Sequence, residues 1–331
     1  MRILITGGAG FIGTNLAIMA TAKGHAVVIL DNFSKAGSRE NWAFIQRATR
    51  TELIEEDITL PLSIHGNVDC IVHLAANVDT RKAFEDPQMD LMVNGLGSLN
   101  ILEYARRNGK IPVIYASTCK VYSTAVNDLP ILESESRYSF ATVDGVVESF
   151  AIDGRGRHAH APYGCSKYVG DMYMQEYHLL FDVPVVINRL STIYGPHQHA
   201  TVGYGWIDWF TMAVKRDMQI TVYGNGKQVR DALHVDDLCR LLLMELESID
   251  KHKGQIYNVG GGSANTISLL ELIAMLVEMK GSSLGHPIHY QDERTADFKV
   301  YVTDITKAKR NVGWRPTISI EEGIKQLWKE F

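Results

Sequence analysis

The chain reads as an α/β protein built on a doubly wound parallel sheet, with a smaller interleaved C-terminal unit. Three observations predict this. Short apolar runs bounded by turn residues recur five times before residue 117, with helix-patterned stretches between most of them. The first run passes directly into a glycine-rich turn that opens a helix. Beyond residue 190 the rhythm breaks into short, aromatic-rich pieces, and one further apolar run follows at 255–260. The expected division is 1–190 with 231–263 for the sheet unit, and 191–230 with 264–331 for the smaller one.

Arg2-Ile3-Leu4-Ile5-Thr6 is a buried parallel strand by its unbroken apolarity. In the turn that follows, Gly7 suits a tight bend, Gly10 lets backbone approach a pyrophosphate, and Gly13 lets helix and strand pack closely. Phe11 and Ile12 begin the helix, whose N-terminal N–H groups and partial positive charge suit phosphates. Its apolar residues recur at helical spacing up to Gly24. The second strand, 26–30, ends at Asp31-Asn32. A carboxylate about 20 residues past the glycines can accept from both ribose hydroxyls and repels a 2′-phosphate, which favours NAD over NADP. Asp31 also suits an ordinary strand-end turn, and Lys35 and Arg39 stand nearby. A third strand, 52–58, would bring Asp57 and Ile58 beside an adenine.

The fourth strand, 68–76, ends in Leu74-Ala75-Ala76, small enough to leave space for a ligand at the sheet's carboxyl edge. His73 fits either a core histidine or a ligand. Residues 91–107 read as one long helix, from which Asn94 can reach a cofactor, although a polar helix position needs no function. The fifth strand, 110–116, delivers Ser117, Thr118 and Cys119 to the same edge. Residues 124–160 are polar and weakly periodic, and a loop of that length between two candidate catalytic segments reads as a cover over the substrate.

Tyr163-Gly164-Cys165-Ser166-Lys167 opens the next helix and places a phenol and an ammonium four residues apart on one face. Taking hydride from an alcohol carbon needs a base for the hydroxyl proton. A tyrosine serves near neutrality when neighbouring positive charge lowers its pKa from ~10. Lys167 and a nicotinamide would supply that charge, and Thr118, beside Ser117, a hydroxyl to orient the sugar oxygen. In the smaller unit, Arg230 and Arg294 suit paired contacts to phosphate oxygens or an ordinary surface role. Trp206 suits stacking on a base or sugar, or a core helix start. Gly224-Asn225-Gly226 reads as a hairpin turn between 221–223 and 229–231.

Composition narrows the partners. The formal charge is −5 without a basic stripe, which argues against nucleic acid. No apolar run approaches a membrane span, and no signal peptide is expected ahead of the first strand. Cys70, Cys119, Cys165 and Cys239 are scattered with no CxxC. Free thiols in a reducing cytoplasm are therefore expected, with no metal site or disulfide framework.

TGGAGFIG from Thr6, DN at Asp31, HLAA at His73, STCKVY at Ser117, YGCSK at Tyr163, INRLSTIYGP from Ile187 and GNGKQVRD from Gly224 together resemble the extended short-chain dehydrogenases/reductases. These are the nucleotide-sugar epimerases and dehydratases, with a Rossmann-type sheet. Within them, STCKVY, HAPYGCSK, GYGWIDWF and GNGKQVRDALH most resemble the CDP-paratose (CDP-tyvelose) 2-epimerases. The resemblance implies Tyr163 as base, Lys167 as its partner and ribose ligand, and Thr118 as hydroxyl helper. It also implies tightly held NAD, a nucleotide-sugar substrate and a homodimer formed through the two long helices. Asp297 resembles a residue that contacts the nucleoside ribose or fixes Arg294; Asn77 and Thr192 complete the substrate-facing set.

The departures are informative. Cys119-Lys120 stand where dehydratases carry an Asp-Glu pair, which removes the acid and base that loss of water uses. Cys119 reads as an inert thiol. Arg81 resembles the uronate 4-epimerases and suits a sugar carboxylate, or an ion pair with Glu85. A UDP-sugar or UDP-uronate 4-epimerase thus stays open beside the 2-epimerase, with a dehydratase or a non-catalytic NAD(P) sensor behind them.

Overall fold

The structure is a computed structural model and describes residues 1–62, 64–152 and 158–331. The first part alternates strands and helices: β1 (Arg2–Thr6), α1 (Phe11–Ala22), β2 (Ala26–Leu30), α2 (Ser38–Ala48), β3 (Glu52–Ile54), β4 (Cys70–His73), α3 (Thr80–Glu85), α4 (Pro87–Leu91), α5 (Gly97–Arg107) and β5 (Val113–Thr118). A short hairpin, β6 (Ile131–Glu133) and β7 (Tyr138–Phe140), precedes α6 (Ala161–Phe181) and β8 (Val185–Leu190). Next come β9 (Thr192–Tyr194), α7 (Trp206–Lys215), β10 (Thr221–Tyr223), β11 (Val229–His234), α8 (Val235–Glu247), α9 (Ile249–His252) and β12 (Gln255–Val259). The chain closes with β13 (Thr266–Ser268), α10 (Leu269–Lys280), β14 (His289–Gln291), β15 (Val300–Tyr301), α11 (Thr306–Val312) and α12 (Ile320–Glu330).

Seven strands form one parallel sheet in the order β12-β8-β5-β4-β1-β2-β3. Both faces are buried, which is why its strands read as unbroken apolar runs. Ile3, Ile5, Val27, Ile29, Val72 and Ile114 pack on one side with α1 and α8. Leu4, Val28, Leu30, Ile71, Val113 and Ile187 pack on the other with α5 and α6. A separate core, including Ile207, Phe210, Val222, Leu272, Leu276 and Ile324, holds α7, α10 and α12 together.

Several elements differ from the sequence expectation. Only 52–54 of the third run is a strand, since Glu55 turns outward to pair with Arg39 at 2.9 Å. The helix expected over 91–107 is interrupted by a π turn, Met92–Leu96. There the Ser98 hydroxyl donates to the Asn94 carbonyl at 2.6 Å, and the Ile58 side chain occupies the space beside Gly97. Gly224 and Gly226 do take positive φ (74° and 79°), but no hairpin forms. β10 pairs with β14 and β11 with β9, β13 and β15, so the turn passes the chain between two sheets.

Residues 124–152 do not line the cavity described below; their apolar residues dock on the smaller sheets. Tyr138 packs with Val229, Val300 and Val302, and Val146 bridges to Thr303. Residues 153–157 of that stretch lie outside the described residues.

Candidate active site

A cavity of about 680 Å³ opens at the carboxyl edge of the sheet, where β1 and β4 lie side by side and their following segments part. This is the switch point at which open α/β sheets bind ligands. Gly7, Gly10, Phe11, Ile12 and Gly13 form one wall. Gly7 sits at φ 65°, and a Cβ there would come within 2.7 Å of Ala75 backbone. At Gly13 a Cβ would meet the Gly7 carbonyl oxygen and Gly8 Cα at 2.5 Å. Gly10, the residue before α1, has no side-chain cap, so the first helical N–H groups stay available to an anion. This cradle fits a dinucleotide pyrophosphate.

Asp31 closes the end of β2. Its Oδ2 accepts from the Ala9 N–H at 3.0 Å and its Oδ1 from the Phe33 N–H at 2.9 Å. Burial raises its pKa above the ordinary carboxylate value, against those two N–H groups and the Lys35 charge. Lys35 also reaches the cavity, with Nζ 3.4 Å from the Tyr204 ring centre. Burial lowers its pKa to about 8, opposed by Asp31 and Asp79. Arg39 instead points out to Glu55, so it does not face the ribose position. Asn32 donates to Asp57 Oδ2 at 2.8 Å, and both line the cavity with Ile58 and the small residues Ala75 and Ala76 beside Leu74. Burial opposes ionisation of Asp57, but the Thr59 and Asn32 hydrogen bonds outweigh it and lower its pKa.

β5 and α6 bring the reactive groups to the same cavity: Ser117, Thr118, Tyr163 and Lys167. Burial pushes the Tyr163 phenol above its ordinary pKa, while a hydrogen bond from Thr118 pulls it down. Lys167 is 3% exposed, and burial lowers its pKa to about 7 against the raising influence of Asp171 and Asp90. Its Nζ lies 4.3 Å from the Tyr115 ring centre. The Lys167 ammonium thus rests on the Tyr115 ring. A positive nicotinamide would add charge beside the phenol.

Buried polar networks hold these groups. Ser117 donates to Asp171 Oδ2 at 2.6 Å, and Arg189 grips the same carboxylate at 3.0 and 3.1 Å. His73 joins Thr6 at 2.7 Å and Ser98 at 3.1 Å, and burial followed by the Lys167 charge lowers its pKa to about 3. It is a neutral core histidine.

Six residues singled out in the sequence do not line the cavity. Asn94 lies behind its wall, fully buried, where it accepts from the Asn77 N–H at 2.9 Å and donates to Ser166 at 3.0 Å. It thereby fixes Asn77, which does line the cavity. Thr192 is held in β9 against Ala232, and Trp206 packs edge-on to Phe210 in the smaller core. Arg230 and Lys120 share Asp297 Oδ1, at 2.7 and 2.8 Å. Burial opposes ionisation of Asp297, yet the two cations hold its carboxyl far below the usual range. Arg294 stacks 4.3 Å over Tyr223 and donates to the Val202 carbonyl. Arg81 lines the cavity and faces Asp79 at 3.7 Å.

The sequence reading missed Gln198, His199, Thr201 and Tyr204, which wall the cavity from the far side of the chain. It also missed Asp90, which accepts from Asn77 at 2.7 Å and Ser166 at 2.5 Å. The two histidines in GPHQHATVGYG were the available signal. Among the described residues no three His, Cys, Asp or Glu side chains are grouped as metal ligands, and no helix is long and apolar enough to cross a membrane.

Comparison with known proteins agrees with this geometry. CDP-paratose 2-epimerase of Salmonella typhi is 34% identical, covering 99% of this chain and 98% of the relative. The solved UDP-glucuronic acid 4-epimerase of Bacillus cereus, in complex with UDP-glucuronic acid and NAD, has a TM-score of 0.82 at 26% identity, covering 99% of this chain and 98% of that one. UDP-glucose 4-epimerase of Thermotoga maritima, with UDP-glucose, has a TM-score of 0.79 at 27% identity, with the same coverage. The profile of the NAD dependent epimerase/dehydratase family matches residues 3–260, and with the cradle, strand-end aspartate and Tyr-Lys pair in place, the chain belongs to that family and its cofactor is NAD.

Proposed function

We propose that the protein is a nucleotide-sugar epimerase that inverts C2 of a CDP-sugar such as CDP-paratose or CDP-tyvelose through a transient 2-keto sugar. The observation that carries the reading is the meeting of Tyr163, Thr118 and Lys167 on the cavity that also holds the glycine cradle. The full-length similarity to a CDP-paratose 2-epimerase supports the choice of carbon and base. NAD held in this cavity would supply a hydride acceptor for the sugar carbon and then the donor that reduces its opposite face, so no net oxidation would occur. Tyr163 takes the 2-hydroxyl proton as that carbon is oxidised and gives it back on reduction. Thr118 orients the sugar oxygen toward the phenol. Lys167 adds positive charge and holds the cofactor ribose, and Gly7–Gly13 and Asp31 hold the two ends of the adenosine diphosphate.

A dehydratase fits less well. Burial pushes the Cys119 thiol up to about 11, and Lys120 is engaged by Asp297, so neither replaces a carboxylic acid. Arg230, Arg294, Asp297, Thr192 and Trp206 stand outside the cavity wall, in the unit formed by 191–230 and 264–331. We assign that unit to the nucleotide part of the substrate. A second reading, a UDP-uronate 4-epimerase, is favoured by Arg81, whose half-exposed guanidinium reaches the cavity and pairs with Asp79 rather than Glu85. NMR of products from a panel of CDP-, UDP- and GDP-sugars separates the readings. Inversion at C2 of a CDP-sugar supports the first, and inversion at C4 of a UDP-uronate replaces it.

We also propose a homodimer in a reducing, cytoplasmic setting. Met89, Leu91 and Met92 on one helical segment, and Tyr173, Leu179 and Leu180 on α6, are exposed apolar side chains on neighbouring elements, as a second copy would cover. All four cysteines are free. Light scattering should give twice the chain mass for the protein, and the chain mass for Leu179→Glu/Leu180→Glu.

A further inference from the structure

We infer that residues 195–205 form a strap that keeps NAD resident between turnovers, and that the contact of Lys35 with Tyr204 is its latch. The inference rests on the reading above, in which the reduced cofactor must stay until it reduces the keto sugar. The strap leaves β9 through Gly195 (φ 139°) and enters α7 through Gly205 (φ 69°), with His197 and His199 also at positive φ (69° and 49°). Such a path is costly for non-glycine residues unless surrounding contacts impose it.

The strap's contacts converge on the elements that line the glycine cradle and the end of β2. From α1, the Asn15 amide donates to the Pro196 carbonyl at 3.0 Å. From α2, the Asn41 amide donates to the His197 carbonyl at 3.2 Å and to the Ala9 carbonyl of the glycine turn at 3.1 Å. Its Oδ1 lies 3.0 Å from His199 Nε2. One buried side chain therefore ties the strap to the phosphate cradle. The His199 ring lies against Gly37, where a Cβ would come within 2.3 Å of it, and the His197 ring packs on Phe44 at 4.5 Å. Finally, the Lys35 ammonium sits 3.4 Å over the Tyr204 ring, drawn also toward Asp31 and Asp79. Thr201 and Tyr204 exchange backbone hydrogen bonds at 2.9 and 3.0 Å, which stiffens the tip carrying that ring.

Gln198, His199, Thr201 and Tyr204 wall the same cavity as Gly7–Gly13, Asp31 and Lys35. A dinucleotide filling it is bounded by the cradle on one side and the strap on another, and its departure requires the strap contacts to open. A desolvated ammonium over an aromatic face is among the stronger of these contacts.

The test uses the full-length protein as purified, with Tyr204→Leu and Lys35→Met as latch variants and Tyr204→Phe, which keeps the ring face, as control. Bound nucleotide is released by acid and quantified, and exchange of bound NAD for isotope-labelled NAD is followed by mass spectrometry. Thermal unfolding with excess NAD reports whether each variant is folded. The expected result is retained NAD with slow exchange in the wild type and Tyr204→Phe, and exchange about tenfold faster in both latch variants. Exchange at the wild-type rate in folded Tyr204→Leu and Lys35→Met overturns the latch while leaving NAD as cofactor. A wild type that neither retains nor binds NAD overturns the functional reading itself.

Discussion

Replacing Lys167 by methionine tests how the fold treats a buried cation kept for chemistry. The side chain is 3% exposed, and its folded pKa is about 7 because burial outweighs the attraction of Asp171 and Asp90. In the unfolded chain the value returns to about 10.4. Below pH 7 both states are protonated and the full mismatch opposes folding. Between pH 7 and about 10.4 the unfolded chain holds a proton that the folded chain has lost, so wild-type stability rises with pH across that window. A gap of more than three pKa units corresponds to roughly 4–5 kcal/mol at about 1.4 kcal/mol per unit, and the contact with the Tyr115 ring takes the figure down by about 1 kcal/mol. Methionine keeps most of the stem and removes the charge. Lys167→Met should therefore be more stable than wild type by roughly 3–4 kcal/mol at pH 6, narrowing to about 1 kcal/mol at pH 9, while turnover is lost. Urea unfolding followed by tryptophan fluorescence at the two pH values measures this directly. A variant less stable than wild type at pH 6, or a stability gap that does not change with pH, refutes the reasoning.

Asp171→Asn leaves the Arg189 guanidinium, 2% exposed, without its carboxylate, and should cost about 3–5 kcal/mol in chemical denaturation. Asp171→Leu/Arg189→Met should recover most of that loss, since both charges leave together. Arg81→Ala should lower kcat/KM for a neutral CDP-sugar by less than about tenfold; a loss of about a hundredfold or more confined to UDP-uronates, read by product NMR, would transfer the assignment to the uronate reading.

The sheet and the cofactor half of the site were legible because they are written locally. A strand, a turn and a helix within thirteen residues specify the cradle, and a strand ending in Asp31 or in Leu74-Ala75-Ala76 carries its own position at the sheet edge. The Tyr-Lys pair was legible for the same reason, since helical spacing alone puts both on one face. What the sequence did not show depends on distant pairing. Tyr204 meets Lys35 across 169 positions, on a segment that Asn15 and Asn41 hold by its backbone and His199. The apparent hairpin at Gly224–Gly226 has the right turn residues, but tertiary pairing sends its two flanks to different sheets. Asn94 lies on a helix near the cofactor as expected, but the π turn directs it inward to Asn77 and Ser166. Residues 124–152 are weakly periodic, and the contacts that dock them, Tyr138 on Val229, Val300 and Val302 and Val146 on Thr303, join positions far apart in the chain.

In the proposed reaction Tyr163 drives a reversible oxidation whose hydride returns to the carbon it left. A CDP-paratose or CDP-tyvelose carrying deuterium at sugar C2, incubated with the protein in ordinary water and followed by NMR, tests it most directly. The expected outcome is inverted product with deuterium still at C2, and turnover at least about a hundredfold lower in Tyr163→Phe. Deuterium lost to solvent during inversion, or a Tyr163→Phe variant that converts the sugar at the wild-type rate, contradicts it.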